Sequence, residues 1–114
     1  MKKILFLLTL VCGMAWSANA QQKKPVTVKI ATPTVQCESC KKRIEDFMKH
    51  EDGITKINVD YKRKVATVTY LSDRTNIENV KTGIANAGYD ADDVKANDDS
   101  YKALPTCCKK PADQ

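Results

Sequence analysis

The sequence has 114 residues, five of them cysteine, with 19 basic and 14 acidic side chains for a net charge of +5. That length holds one small domain with a modest core and excludes a large enclosed active site. The charge is too mild for a nucleic-acid binder, and no basic stretch is interleaved with aromatics that would stack on bases.

The chain opens with Lys2 and Lys3, an apolar run from Ile4 to Trp16, and then Ser17-Ala18-Asn19-Ala20. Charged, apolar and small-residue segments in this order predict a secretory signal over residues 1–20, cut after Ala20. The apolar run is shorter than the roughly 20 residues that cross a bilayer, so no membrane insertion is expected after cleavage. Cys12 follows Thr9-Leu10-Val11 rather than the small residues expected before a lipid-anchored cysteine. Loss of the signal leaves four cysteines and 17 basic against 14 acidic residues, a net charge of +3. The mature protein is expected to be soluble and exported.

Residues 21–25 read as a flexible lead-in. Val26, Val28 and Ile30 then alternate with Thr27, Lys29 and Ala31, the period of a half-buried strand, and Thr32-Pro33-Thr34 breaks it. Cys37 to Lys49 predicts an amphipathic helix with Cys40, Ile44, Phe47 and Met48 on its apolar stripe, ended by Asp52-Gly53. Ile54–Tyr61 and Val65–Tyr70 alternate again around Lys62-Arg63-Lys64, which predicts an antiparallel hairpin whose cations keep an exposed turn soluble. Asn76 caps a second helix with Ile77, Val80, Ile84 and Ala87 on one face, closed by Gly88. Tyr89–Ala96 reads as a weaker final strand. The order predicts an α+β, ferredoxin-like βαββαβ sandwich over residues 26–96, a four-stranded antiparallel sheet with two helices on one face. Residues 97–114 are polar, offer few core candidates, and read as a C-terminal tail or loosely docked extension.

The four remaining cysteines form two tight pairs, Cys37-Glu38-Ser39-Cys40 and Cys107-Cys108, instead of a framework spread over distant loops. Cys37 and Cys40 fall where the loop enters the first helix, so both thiols can turn onto one ion. The unsatisfied N–H groups of a helix start stabilise a thiolate, and Lys41, Lys42 and Arg43 add positive charge nearby. Paired thiolates select soft ions such as copper(I) over calcium or magnesium. Two donors suit a low-coordinate ion, copper(I) or mercury(II), better than zinc(II), whose structural sites take four. Cys107 and Cys108 have two readings: auxiliary metal thiolates, which Lys109 and Lys110 would favour, or a disulfide in an oxidising compartment. His50 reads as a surface residue at a helix end, and Asp90, Asp92, Asp93, Asp98 and Asp99 as a solvated face.

A Cys-x-x-Cys pair at a helix start also describes thiol–disulfide oxidoreductases, the alternative function. Against it, no aromatic precedes Cys37, no proline separates the cysteines, and Pro105 and Pro111 fall outside the folded part. A purely structural Cys37–Cys40 disulfide closes too small a loop to stabilise much. No hydrolytic constellation is present around the single histidine.

Val35-Gln36-Cys37-Glu38-Ser39-Cys40 before an amphipathic helix, the Gly53-Ile54 to Tyr61 segment, the Val65–Tyr70 strand and Gly88-Tyr89-Asp90-Ala91 together resemble a heavy-metal-associated domain. The resemblance spans about residues 26–96. It implies a monomeric, non-enzymatic carrier that binds one soft ion through Cys37 and Cys40. Such a carrier passes the ion by thiolate exchange to a membrane metal transporter or another metal-binding domain. With the export signal, the nearest classes are periplasmic mercury-binding proteins and bacterial copper chaperones, and this resemblance makes the periplasm the expected location. The family's motif usually opens Gly-Met-Thr-Cys; here Val35 stands in the Met position, keeping an apolar residue without its sulfur. The resemblance also assigns Tyr89 a place packed beside the metal site.

Overall fold

The computed structural model describes residues 25–114; residues 1–24, with the expected export signal, Cys12 and all of the lead-in but Pro25, lie outside the described residues. Three strands, β1 (Pro25–Ala31), β2 (Ile54–Asp60) and β3 (Val65–Leu71), pair antiparallel in the order β1-β3-β2. Register follows from the alternation. Ala66 of β3 lies opposite Ile30 and Val59, and Val68 opposite Val28 and Ile57, so one face of the sheet is apolar throughout. The other face carries Thr27, Lys29, Thr67 and Thr69, with the Thr27 and Thr69 hydroxyls 2.9 Å apart.

Helix α1 (Glu38–Met48) and helix α2 (Ile77–Asn86) contribute Cys40, Ile44, Met48, Val80 and Ile84 to the same core cluster as Ile30, Val59, Ala66, Val68 and Tyr70. Asn76 caps α2 as expected, its side chain accepting the Asn79 N–H at 2.8 Å. Phe47, placed on the apolar stripe by its spacing, is instead 39% exposed. Cys40, Ile44 and Met48 follow the i, i+4 rhythm and leave it at the edge of the buried arc.

The expected fourth strand does not form among the described residues. Residues 89–96 curl into a tight turn closed by an isolated bridge between Ala91 and Val94, with Asp92 in the left-handed region at φ 51°. This turn sits at the outer end of β1. Asp92 N–H donates to the Ala31 carbonyl at 2.9 Å, and Ala31 N–H donates to the Asp92 carboxylate at 2.7 Å. A side chain thus supplies a bond that a strand would supply from its backbone. Asp-rich sequence favours such local side-chain-to-backbone bonding over a ladder. Asp90 does the same within the turn, accepting the Ala96 N–H at 2.9 Å. Lys81 of α2 pins the turn from the helix side through Asp93 at 3.1 Å and Asp92 at 3.7 Å.

Residues beyond 97 pack more closely than their polar composition suggests. A short helix α3 (Asp98–Lys102) and two single-turn 3-10 helices (Thr106–Cys108 and Pro111–Asp113) lead the chain back over the fold. Leu104 and Cys108 are both buried in the core cluster. Gly88 makes room for this segment: it has φ +105°, and a Cβ there would lie 3.1 Å from Leu104 and from the Ser100 carbonyl. Gly88→Ala is therefore expected to destabilise the reduced, metal-free protein by about 1–3 kcal/mol from backbone strain alone. Urea unfolding measures the loss; an unchanged midpoint would remove Gly88 from this role.

Candidate metal centre

Cys37 is the N-cap of α1, extended at φ −151° and ψ 178°, and its carbonyl receives the Lys41 N–H at 3.1 Å. Its sulfur therefore stands over the free N–H groups of the first helical turn. The Cys40 N–H, with smaller help from the Cys40 thiol and the Ser39 N–H, holds the Cys37 thiol below the ordinary cysteine range, against an opposing push from partial burial. The expected help from lysines is not the main cause. Lys41 turns away, its amine 3.4 Å from the Asn58 side-chain oxygen.

Cys40 lies one turn further in and is fully buried, its Sγ 3.5 Å from that of Cys37. The two are free thiols. Val35, two residues before Cys37 in the same loop, is also fully buried. Its carbonyl accepts the ammonium of Lys64, and the Lys64 carbonyl in turn accepts the Thr32 N–H at 2.8 Å. Lys64 thus ties the β2–β3 turn to the cysteine loop. Of the three cations read as solubilising the turn, Lys62 and Arg63 are exposed and Lys64 is half-buried. Its left-handed φ of 58° is the conformation that swings it inward, and nothing in a run of three cations singles it out.

The second cysteine pair divides. Cys108 is 1% exposed, and its sulfur lies with those of Cys37 and Cys40 in a group whose members are all within 4.8 Å of one another. Burial, then the neighbouring Cys40 thiol, pushes the Cys108 thiol up to about 12. Cys107 is exposed, with its Sγ 3.9 Å from that of Cys108 and no disulfide between them. Tyr89 is fully buried and adjoins the Cys40 and Cys108 sulfurs. Its hydroxyl faces the Cys108 and Cys40 sulfurs but makes no hydrogen bond of ordinary geometry, and burial raises its pKa.

His50 and the acidic residues stay apart from the sulfurs. His50 is exposed just past the end of α1, and Asp92, Asp93, Asp98 and Asp99 are exposed. Leu104, which anchors the segment bearing Cys108, had a weak signal: it is the only leucine after Leu71.

An α+β domain with two thiols at the start of its first helix, and a third thiol against them, has the donor set of a soft-metal-binding module. Residues 29–90 match the family model described as the heavy-metal-associated domain, and the chain belongs to that family. The mercuric transport protein periplasmic component of Shewanella putrefaciens is 31% identical over 85 residues, which cover 75% of this chain and 85% of that protein. Its counterpart from Pseudomonas fluorescens is 28% identical over 91 residues, covering 78% and 93%. Among solved structures, oxidised MerP from Ralstonia metallidurans CH34 superposes with a TM-score of 0.57 at 24% identity, over 60% of this chain and 94% of that one. The CopZ metallochaperone does so with 0.55 at 23%, over 58% and 98%. These likenesses show a shared fold. Among the described residues, no helix is long and apolar enough to cross a membrane.

Proposed function

We propose that this protein is an exported, non-enzymatic carrier of one soft heavy-metal ion, mercury(II) or copper(I), held by the thiolates of Cys37 and Cys40. The observation that carries this reading is the pair of sulfurs 3.5 Å apart at a helix start, one half-buried and activated by backbone N–H groups, the other fully buried. The pairing gives a soft, preorganised donor set with one side open to a partner. Export rests on the signal-like residues 1–20 and on relatives named as periplasmic components. Residues 26–96 act as the metal-binding domain on a ferredoxin-like frame, in which the Asp92 turn takes the place of the fourth strand.

Transfer proceeds by ligand exchange without any change of oxidation state. A thiolate from a membrane metal transporter, or from another metal-binding domain, bonds to the ion as the Cys37 bond breaks. A second incoming thiolate then replaces Cys40, and both released sulfurs take up protons. Without an acceptor, the same site sequesters the ion. The monomer suffices for this, since both sulfurs come from one chain.

Anaerobic titration of the reduced protein with mercury(II), copper(I) and zinc(II) tests the reading. One ion of mercury(II) or copper(I) per chain is expected, each displacing zinc(II), because the site lacks the four donors of a structural zinc centre. Zinc binding that resists both competitors would overturn it. The thiol–disulfide oxidoreductase reading shares the lowered Cys37 thiol, and it requires catalytic turnover of a disulfide substrate by the metal-free protein.

A further inference from the structure

We infer that Cys108 is a third sulfur ligand, which closes the Cys37–Cys40 pair into a trigonal three-thiolate site for a soft ion such as mercury(II). This rests on the dithiol reading above and adds a donor from outside the region that matches the family model, which ends at residue 90.

Geometry carries it. With a metal–sulfur bond of about 2.3 Å, as in zinc thiolates, two sulfurs in line across an ion are about 4.6 Å apart, whereas three at the corners of a triangle around it are about 4.0 Å apart. Cys37 and Cys40 lie 3.5 Å apart, and all three sulfurs are mutually within 4.8 Å. The Cys37–Cys40 separation is nearer the triangular spacing than the linear one, and the Cys108 sulfur lies close enough to both to complete the triangle. The burial pattern agrees, since Cys40 and Cys108 are buried and Cys37 is half-buried, leaving one open edge.

The third sulfur is also held in place from both sides in sequence. Upstream, Leu104 is seated over Gly88, the neighbour of Tyr89. Downstream, the Tyr101 hydroxyl donates to the Asp113 carboxylate and accepts the Lys110 N–H at 3.0 Å. The Lys110 ammonium lies 5.5 Å from the Tyr101 ring centroid. These contacts bracket residues 105–109, so the Cys108 sulfur is prepositioned and binding need not order a free tail. A second observation points into the same spot: the Tyr89 hydroxyl is fully buried, faces Cys40 and Cys108, and lacks a hydrogen-bond partner. An orphaned buried donor beside neutral thiols is costly, and it gains an acceptor when those sulfurs become metal-bound thiolates. Binding breaks three S–H bonds, forms three metal–sulfur bonds and releases three protons to solvent, with no electron transferred. Cys107 is exposed and falls outside the group of three sulfurs, so it is not a ligand.

X-ray absorption spectroscopy of the reduced protein loaded with one equivalent of mercury(II) tests this, with Cys107→Ser, Cys108→Ser and Cys108→Ala compared with the parent. Three sulfur neighbours are expected in the parent and in Cys107→Ser, and two in both Cys108 variants. Affinity measured against a competing thiol should fall at least about tenfold in the Cys108 variants, the lower end of what even a lost supporting contact costs a metal site. Circular dichroism of the metal-free forms checks folding, and Cys108→Ala avoids burying a hydroxyl. Two sulfur neighbours in the parent, unchanged in Cys108→Ala, would overturn the inference and leave the dithiol reading standing. Loss of a sulfur in Cys107→Ser alone would overturn it too. Undiminished binding after replacement of both Cys37 and Cys40 would overturn the dithiol reading and this inference with it.

Discussion

Replacing Cys37 and Cys40 together by serine should reduce affinity for mercury(II) or copper(I) by a factor of at least about 1,000, equivalent to about 4 kcal/mol. Thiolate sites bind soft or borderline ions with about 10–16 kcal/mol, and the variant exchanges two soft donors for hydroxyls that stay protonated and coordinate weakly. The single variants separate binding from folding. Cys37 occupies an N-cap position but makes no side-chain capping bond. Serine is among the best N-caps, so Cys37→Ser should lose metal affinity while metal-free stability holds or rises by about 0.5–2 kcal/mol. Cys40 is fully buried. A hydroxyl left there without a partner costs about 1–3 kcal/mol, so Cys40→Ser should lower affinity and stability together. Competition titration and urea unfolding of the reduced forms read the two quantities. If Cys37→Ser bound metal like the parent, Cys37 would be a capping residue and nothing more.

Ile44→Ala should be the most damaging aliphatic truncation in α1, at about 2–5 kcal/mol. Ile44 is fully buried one turn beyond Cys40 and belongs to the cluster that joins the helices to the sheet. Truncation loses its transfer free energy and leaves a cavity that the surrounding strands cannot fill by collapse. A domain of this size has only about 5–15 kcal/mol in hand, so the loss is a large share of its stability. Val26→Ala offers the contrast. That side chain is 37% exposed at the start of β1, and its loss should stay within about 0.5–1 kcal/mol. Equal urea midpoints for the two variants would mean that the core is not built around Ile44. Because Ile44 offers no donor atom to an ion, Ile44→Ala that remains folded should still bind metal, unlike the cysteine variants.

The elements whose signal is local were legible without coordinates. Alternation in Val26–Ile30, Ile54–Tyr61 and Val65–Tyr70 produced strands within a residue or so of those observed, and Asn76 and Gly88 marked the ends of α2. These signals survive because side-chain period and capping depend on neighbours within a turn of the chain. The failures are of another kind. Residues 89–96 carry enough alternation to suggest a strand, but Asp92 bonds to Ala31 across the fold and bends the chain at φ 51°. The tail looked unfit for a core until Leu104 found the gap over Gly88.

The sequence by itself determined that two thiols meet at a helix start, because a three-residue spacing at an N-terminus places them there whatever the rest of the chain does. It also marked them as candidate soft donors in a chain of modest charge that opens with a signal-like segment. Only the tertiary structure decided which member of the second pair joins them. Cys107 and Cys108 are adjacent and chemically identical, yet one is exposed and the other is buried against Cys40. That choice hangs on Leu104 at Gly88 and on Tyr101 with Asp113 and Lys110, contacts that set which way a single turn of backbone faces. No local periodicity encodes such a rotation, since it is fixed by the shape of a surface contributed by α2 and the loop after it.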